Sequence, residues 1–320
     1  MTPAPYDADY IPGSGLPVAP PIERLRSGLN RQVSRVWDET PGTNSARLSI
    51  PPASAPGRPV STKRLAQLQR SLSPRDHLVL QVVAEHRFLS TTQIKRFAFS
   101  GHASDEAAVR SARYVLTRLE KAQLIRPLAR RVGGFRAGST AKLWQLAPAG
   151  ARLLSNDGGN YRTYEPTSRF LSHCLAVADA HLAALDLAGD VTIDRVDVET
   201  EPACWRRFSG YGGEARWLRP DLAAVVSSRD YLDHWFIEVD LGTESLPTVL
   251  KACGRYEDYR ATGIEQQRLH TFPLVCWLFM DNSRADRVRT AIERTARLTP
   301  ALYRIATPTS FADVLRGGGA

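Results

Sequence analysis

SDEAAVRSARYVLTRLEKAQLIRPL, residues 104–128, decides the fold. At 100° per residue, Ala108, Ala112, Val115, Leu116 and Leu119 share one helix face. Arg110, Arg113, Tyr114, Thr117 and Lys121 share the opposite one. Ser104 stands where an N-cap belongs, and Asp105 and Glu106 sit in the first turn, where the helix dipole favours acids. Upstream, Ser73-Pro74 opens a helix running through His86, and Ser90-Thr-Thr-Gln93 is a capping box opening a short one. Downstream, Leu124–Leu128 and Lys142–Leu146 read as two strands joined by a Gly-rich loop carrying Arg130, Arg131 and Arg136. Pro148–Leu154 closes the unit as a helix.

This segment resembles the winged-helix superfamily through "LSTTQI", "RYVLTRLEKAQLIRPL" and "WQLAPAGARLL", so residues 70–155 are predicted to form a winged helix-turn-helix. The resemblance implies that the 104–121 helix enters the major groove of double-stranded DNA and that the wing meets phosphates or the minor groove. The expected DNA contacts are Arg110, Arg113, Tyr114, Thr117, Lys121, Arg130, Arg131, Arg136 and Lys142. The rival reading is a winged helix that contacts only proteins.

Charge supports the DNA reading. The chain is +9 overall, but residues 61–150 hold 16 basic and 5 acidic groups, while residues 151–320 hold 20 basic and 23 acidic. The excess is concentrated in the segment that carries the helix face and wing, as in a polyanion-binding module. Only five basic residues are lysine, which fits a GC-rich genome. That bias accounts for arginine over lysine and does not account for the local scarcity of acids. Residues 1–60 contain 11 of the 21 prolines and little periodicity, so residues 1–65 are expected to be a disordered tail.

No apolar run approaches the roughly 18 residues of a membrane helix, and the N-terminus has no secretory pattern, so a cytoplasmic protein without a membrane partner is expected. The four cysteines show no metal-site spacing and read as small buried apolar residues. Many winged helices pair as homodimers, and no heptad pattern here argues for one.

Residues 168–315 read as helix, three strands, helix, strand, helix, strand, which gives a mixed α/β (α+β) sheet domain flanked by helices. The strands are predicted at Val191–Thr200, Trp217–Ser227, His234–Leu241, Pro273–Met280 and Leu302–Ala306. Asp221 opens one apolar strand. Glu238 and Asp240, two apart on the next, share a face. If the strands are neighbours, three carboxylates converge. Buried carboxylates repel unless a cation joins them, and oxygen-only ligands suit Mg2+ or Mn2+. Such a metal activates water and stabilises charge on a phosphodiester.

The order of elements, Pro220-Asp221 and Glu238-Val-Asp240 resemble the PD-(D/E)XK nuclease superfamily, a restriction-endonuclease-like fold. The position of that family's lysine holds Asp240. Some members carry an acid there, and others move the lysine to the next helix, where Lys251 lies. The resemblance implies Asp221, Glu238 and Asp240 as metal ligands and Lys251 at the scissile phosphate.

Together the two halves resemble the replication-relaxation family, which includes MobC-type relaxases of mobilisable plasmids. The markers are "SHCLAVAD", "RPDL", "IEVDLGTES" and "KACGRYEDY". This implies a protein that binds DNA, and nicks it, at a transfer or replication origin beside other mobilisation or replication proteins. Two other readings stand: a regulator or accessory factor with an inactive nuclease-like domain, and a recruitment protein. His173 reads as structural, Tyr256 and Tyr259 as core tyrosines more than nucleophiles, and Glu244 as a helix cap or solvated acid.

Overall fold

The computed structural model describes residues 60–128, 142–155, 163–210 and 212–318. The basic loop with Arg130, Arg131 and Arg136 lies outside the described residues, as does the tail before residue 60.

The N-terminal unit follows its caps. Helix α1 (Thr62–Ser71) starts at Ser61, whose hydroxyl accepts from the Arg64 amide. It begins inside the stretch assigned to the tail, because Leu65 and Leu68 give it an apolar edge that packs on the core. Capping boxes at Ser73 and Ser90 open α2 (Pro74–His86) and α3 (Thr91–Phe99). Helix α4 (Asp105–Lys121) buries Ala108, Ala112, Val115, Leu116 and Leu119, the residues its periodicity assigns inward. Strands β1 (Leu89–Ser90), β2 (Ile125–Pro127) and β3 (Leu143–Leu146) form an antiparallel sheet in the order β1-β3-β2. The unit thus runs helix, strand, two helices and two strands after α1. Helix α5 (Pro148–Leu154) closes the unit. Its Gly150 lies against the Leu124 carbonyl so closely that a Cβ would fall 2.0 Å from that oxygen.

Helix α6 (Ser168–Asp186) joins the two halves. With the turn after it, Ser168–Gly189 is long and apolar enough to cross a membrane by length and composition, which the apolar-run reading overlooked because small Ala residues carry the hydropathy. In the fold it is an internal strut. Ala178 belongs to the core of the N-terminal unit, whereas Ala180 and Ala184 pack on the sheet of the second.

That second sheet has the order β10-β9-β8-β7-β4. Strands β4 (Ile193–Thr200), β7 (Leu222–Ser228) and β8 (Leu232–Asp240) run antiparallel, while β9 (Leu274–Phe279) and β10 (Tyr303–Ala306) lie parallel to β8. On one face Phe236 and Trp277 pack with α7 (Leu246–Ala261) and α9 (Asn282–Arg294). On the other, Trp235, Ile237 and Val239 face α6 and the C-terminus. Both faces are covered, so the central strands are apolar throughout rather than alternating.

The predicted helix and strand order holds, with one correction. The single strand expected at Trp217–Ser227 is two. Pro220 has no N–H for a ladder, and the chain breaks at Arg219-Pro220-Asp221. The first piece, β6 (Ala215–Leu218), pairs instead with an unforeseen β5 (Arg206–Ser209) in a separate hairpin. Helix α8 (Ile264–Leu269) was also not foreseen.

The halves are fastened by polar contacts around α6. Gln93 donates to the Leu175 carbonyl and to Asp179, both at 2.8 Å, and Arg87 pairs with Glu201 at 2.7 Å. His86 and His181 share a buried hydrogen bond of 3.0 Å beside Phe97. Burial lowers the His181 pKa to about 4; burial and then the His181 charge push His86 well below its ordinary value. The folded state therefore disfavours protonation, while unfolded histidines charge near 6.5. Stability present above that pH is lost as pH falls toward 4. Relative to His181→Leu, the native chain should lose roughly 3 kcal/mol between neutral pH and about 4, read from urea unfolding at each pH. A pH-independent difference would contradict this.

Candidate nucleic-acid interface and carboxylate site

Helix α4 turns a complete polar face outward. Arg110, Arg113, Tyr114, Thr117 and Lys121 are all exposed, Tyr114 at 69%. Among the described residues, no carboxylate pairs with Arg110, Arg113 or Lys121. The neighbouring cations differ. Lys95 pairs with Asp105, Arg118 with buried Asp76, and Lys142 with Glu120 at 2.9 Å while lying 4.3 Å from the Trp144 ring centre. The helix thus keeps its uncompensated charge on one face, while Arg118, also exposed and 5.8 Å from the Tyr114 ring centre, is neutralised by Asp76. A groove of about 400 Å³ runs between α3, α4 and β3, lined by Thr92, Lys95, Arg113, Thr117, Lys142 and Trp144.

The second candidate site lies where β7 and β8 begin and end. Leu222 pairs with Ile237, which brings Asp221 and Glu238 together one step beyond. Asp221 accepts from the Val239 amide at 2.8 Å and shares a hydrogen bond of 2.9 Å with His173 Nε2. Glu238 accepts from the Tyr256 hydroxyl at 2.6 Å. Burial, then the charge of Asp221, raises the Glu238 pKa well above the carboxylate range; the Arg255 charge opposes this. Burial would lower His173, but its hydrogen bond to Asp221 and the charges of Asp221, Glu201 and Glu244 raise it overall. Tyr256 is pushed up by burial and by Glu238, so it is a protonated donor here.

Asp240 stands apart from that pair. It points at α9, where Arg284 grips it through Nε at 3.1 Å and Nη2 at 2.5 Å, and the Gly242 amide caps the same carboxylate. Lys251 is exposed on α7. The helix cation whose charge reaches Glu238 is Arg255, one turn further on. Glu244 is exposed, and the cap of α7 is Ser245. Tyr259 donates to Glu265 at 2.9 Å, well inside the core. Among the described residues, no three His, Cys, Asp or Glu side chains are grouped to hold a metal ion. All four cysteines are free and buried.

The roles of His173, Glu201, Arg255 and Arg284 were missed from sequence. Arg284 is 44 residues from Asp240, and no local pattern ties them. His173 lies 48 residues from Asp221, and no local pattern ties those two either.

A family model described as replication-relaxation matches residues 80–275, which spans α2 through the start of β9 and includes both candidate sites. The chain belongs to the replication-relaxation family. Membership gives it a part in plasmid replication or mobilisation. No curated protein and no solved structure matches the chain.

Proposed function

We propose that this replication-relaxation protein binds double-stranded DNA through its N-terminal unit, used as a winged helix-turn-helix. The observation that carries the reading is the outward face of α4, with Arg110, Arg113 and Lys121 exposed and without carboxylate partners among the described residues. Arginine forks suit guanine edges and phosphates, and Thr117 and Tyr114 add hydrogen-bonding reach. The groove beside α4 is lined by Arg113 and Thr117 of the same face, together with the carboxylate-paired Lys95 and Lys142. A protein-only winged helix has no need of an uncompensated basic face, since desolvating it against a neutral partner is costly.

A second reading concerns the other half, and a separate observation favours it: two carboxylates meet on adjacent strands, and burial and the Asp221 charge raise the pKa of Glu238. Asp221 and Glu238 suit a Mg2+ or Mn2+ ion of the kind held by one or two carboxylates, its own waters and a substrate phosphate. Asp240 is neutralised by Arg284 and is not needed in that set. The ion would supply water activation and charge stabilisation at a phosphodiester. His173 and Tyr256 hold Asp221 and Glu238 in place, and Arg255 offers the positive charge that reaches Glu238. On this reading the protein nicks DNA at an origin; without it, the domain is an inactive scaffold in an accessory factor.

Supercoiled plasmid carrying the DNA that flanks this gene separates the two. Metal-dependent nicking by the native chain, abolished in Glu238→Gln, is the expected result. Intact plasmid with magnesium and with manganese, alongside a retained gel shift, would leave the DNA-binding reading standing and remove the nuclease one.

A further inference from the structure

The β5–β6 hairpin is an excursion between β4 and β7 that the main sheet does not need. Its two faces differ in kind. Arg206, Phe208, Arg216 and Leu218 form the inner face, where Phe208 and Leu218 join the core and the arginines are answered by Glu265, Glu199, Glu214 and Asp258. Arg207 sits directly across from Trp217, so alternation puts Trp205, Arg207, Trp217 and Arg219 together on the other face. Arg207, Trp217 and Arg219 are exposed there, Trp217 at 43%. The Arg219 guanidinium lies 4.8 Å from the Trp205 ring centre and 6.0 Å from that of Trp217, and the two indoles meet edge to face. Neither Arg207 nor Arg219 has a carboxylate partner among the described residues. Trp205 backs this face from below: its ring packs on the core, and its Nε1–H is buried without an acceptor among the described residues.

An exposed indole, Trp217, backed by the half-buried Trp205 and flanked by unpaired guanidinium groups, is the chemistry that binds unstacked nucleotides. The ring stacks on a base of any sequence, and the guanidiniums meet the phosphates beside it. Duplex DNA hides its base faces, so the ligand must be single-stranded. The position agrees, because Arg219 lies two residues before Asp221, and Cys204, next to Trp205, donates to the Pro220 carbonyl between them. We propose that this hairpin face is a binding platform for single-stranded DNA, distinct from the α4 surface, that holds an unpaired strand beside Asp221 and Glu238. The proposal rests on the reading of the chain as a DNA-binding protein and adds a second surface with a different ligand form.

The test uses the full chain and fluorescence anisotropy with two probes, a labelled oligo(dT) and a labelled blunt duplex of mixed sequence. Trp217→Ala should weaken oligo(dT) binding by about tenfold, the loss of one stacked base, and leave duplex affinity unchanged. Trp217→Phe, which keeps a stacking ring and the fold, should retain most of the affinity. Arg219→Ala should weaken oligo(dT) in the same way. Arg110→Ala with Arg113→Ala should give the reverse pattern, losing duplex and keeping oligo(dT). Equal oligo(dT) affinity in native, Trp217→Ala and Arg219→Ala chains would overturn the proposal. So would duplex binding with no oligo(dT) binding, which would turn the face over to a protein partner. A native chain that binds neither probe would overturn the DNA reading itself along with the platform.

Discussion

Replacing Arg284 by alanine should destabilise the protein by about 3–5 kcal/mol, the cost of breaking a buried ion pair. Its partner Asp240 is 2% exposed at the side chain, and the guanidinium itself is only 13% exposed. Removing the arginine leaves a carboxylate in the interior with the Gly242 amide as its remaining contact. It also frees the Glu244 carbonyl, to which Arg284 donates at 2.7 Å, and uncovers the Phe279 ring, 5.8 Å from the guanidinium carbon. The links from α9 to the end of β8, to the turn after it and to the end of β9 are lost together. The paired change Arg284→Met with Asp240→Leu should recover most of the stability, because apolar residues of similar volume often replace a buried ion pair at little cost. Urea unfolding of the three chains reads the difference. A loss under about 1 kcal/mol in Arg284→Ala would mean that water reaches Asp240 and that the pair behaves as a surface one.

The second large effect is on binding. Charge reversal at Arg110 and Arg113, as Arg110→Glu with Arg113→Glu, should weaken duplex DNA binding by roughly a hundredfold or more at moderate salt. Two attractive contacts are replaced by repulsion from the phosphates. The folded state should be nearly untouched, since both residues are exposed on α4 and surface changes of this kind stay within about 0.5 kcal/mol. Unfolding midpoints and anisotropy titrations on the same preparations separate the two effects. Duplex affinity within about twofold of the native chain would remove α4 as the contact surface.

How much of this was legible in the sequence follows from where each signal lies. Helix α4 was legible to the residue, because a face is a local pattern and five apolar positions at helical spacing decide it. The central strands were legible as apolar runs, and the order of elements came with them. The hairpin β5–β6 was not, because Arg206–Ser209 has neither apolar alternation nor a turn dipeptide, and its partner looked continuous with β7 across Pro220. The carboxylates illustrate the same limit. Alternation on β8 put Glu238 and Asp240 on one face, and they do share it. What separates them is that α7 meets one and α9 the other, a packing fact that no spacing on β8 contains. Likewise, the Arg87–Glu201 and His86–His181 contacts join residues 114 and 95 apart in the chain. Such pairs exist only after the two units dock on α6.

Salt dependence of duplex binding by the native chain tests the central claim most directly. Neutralising Z phosphates releases counterions, and the logarithm of affinity falls against the logarithm of salt with a slope of about −0.9Z. Arg110, Arg113 and Lys121 alone predict a slope of about −3, steeper if Lys142 and the basic loop also reach phosphates. A slope of about −3 or steeper, cut by roughly two in Arg110→Ala with Arg113→Ala, is the result expected of duplex DNA held by α4. A slope near zero, or one that the double substitution leaves unchanged, would contradict the account.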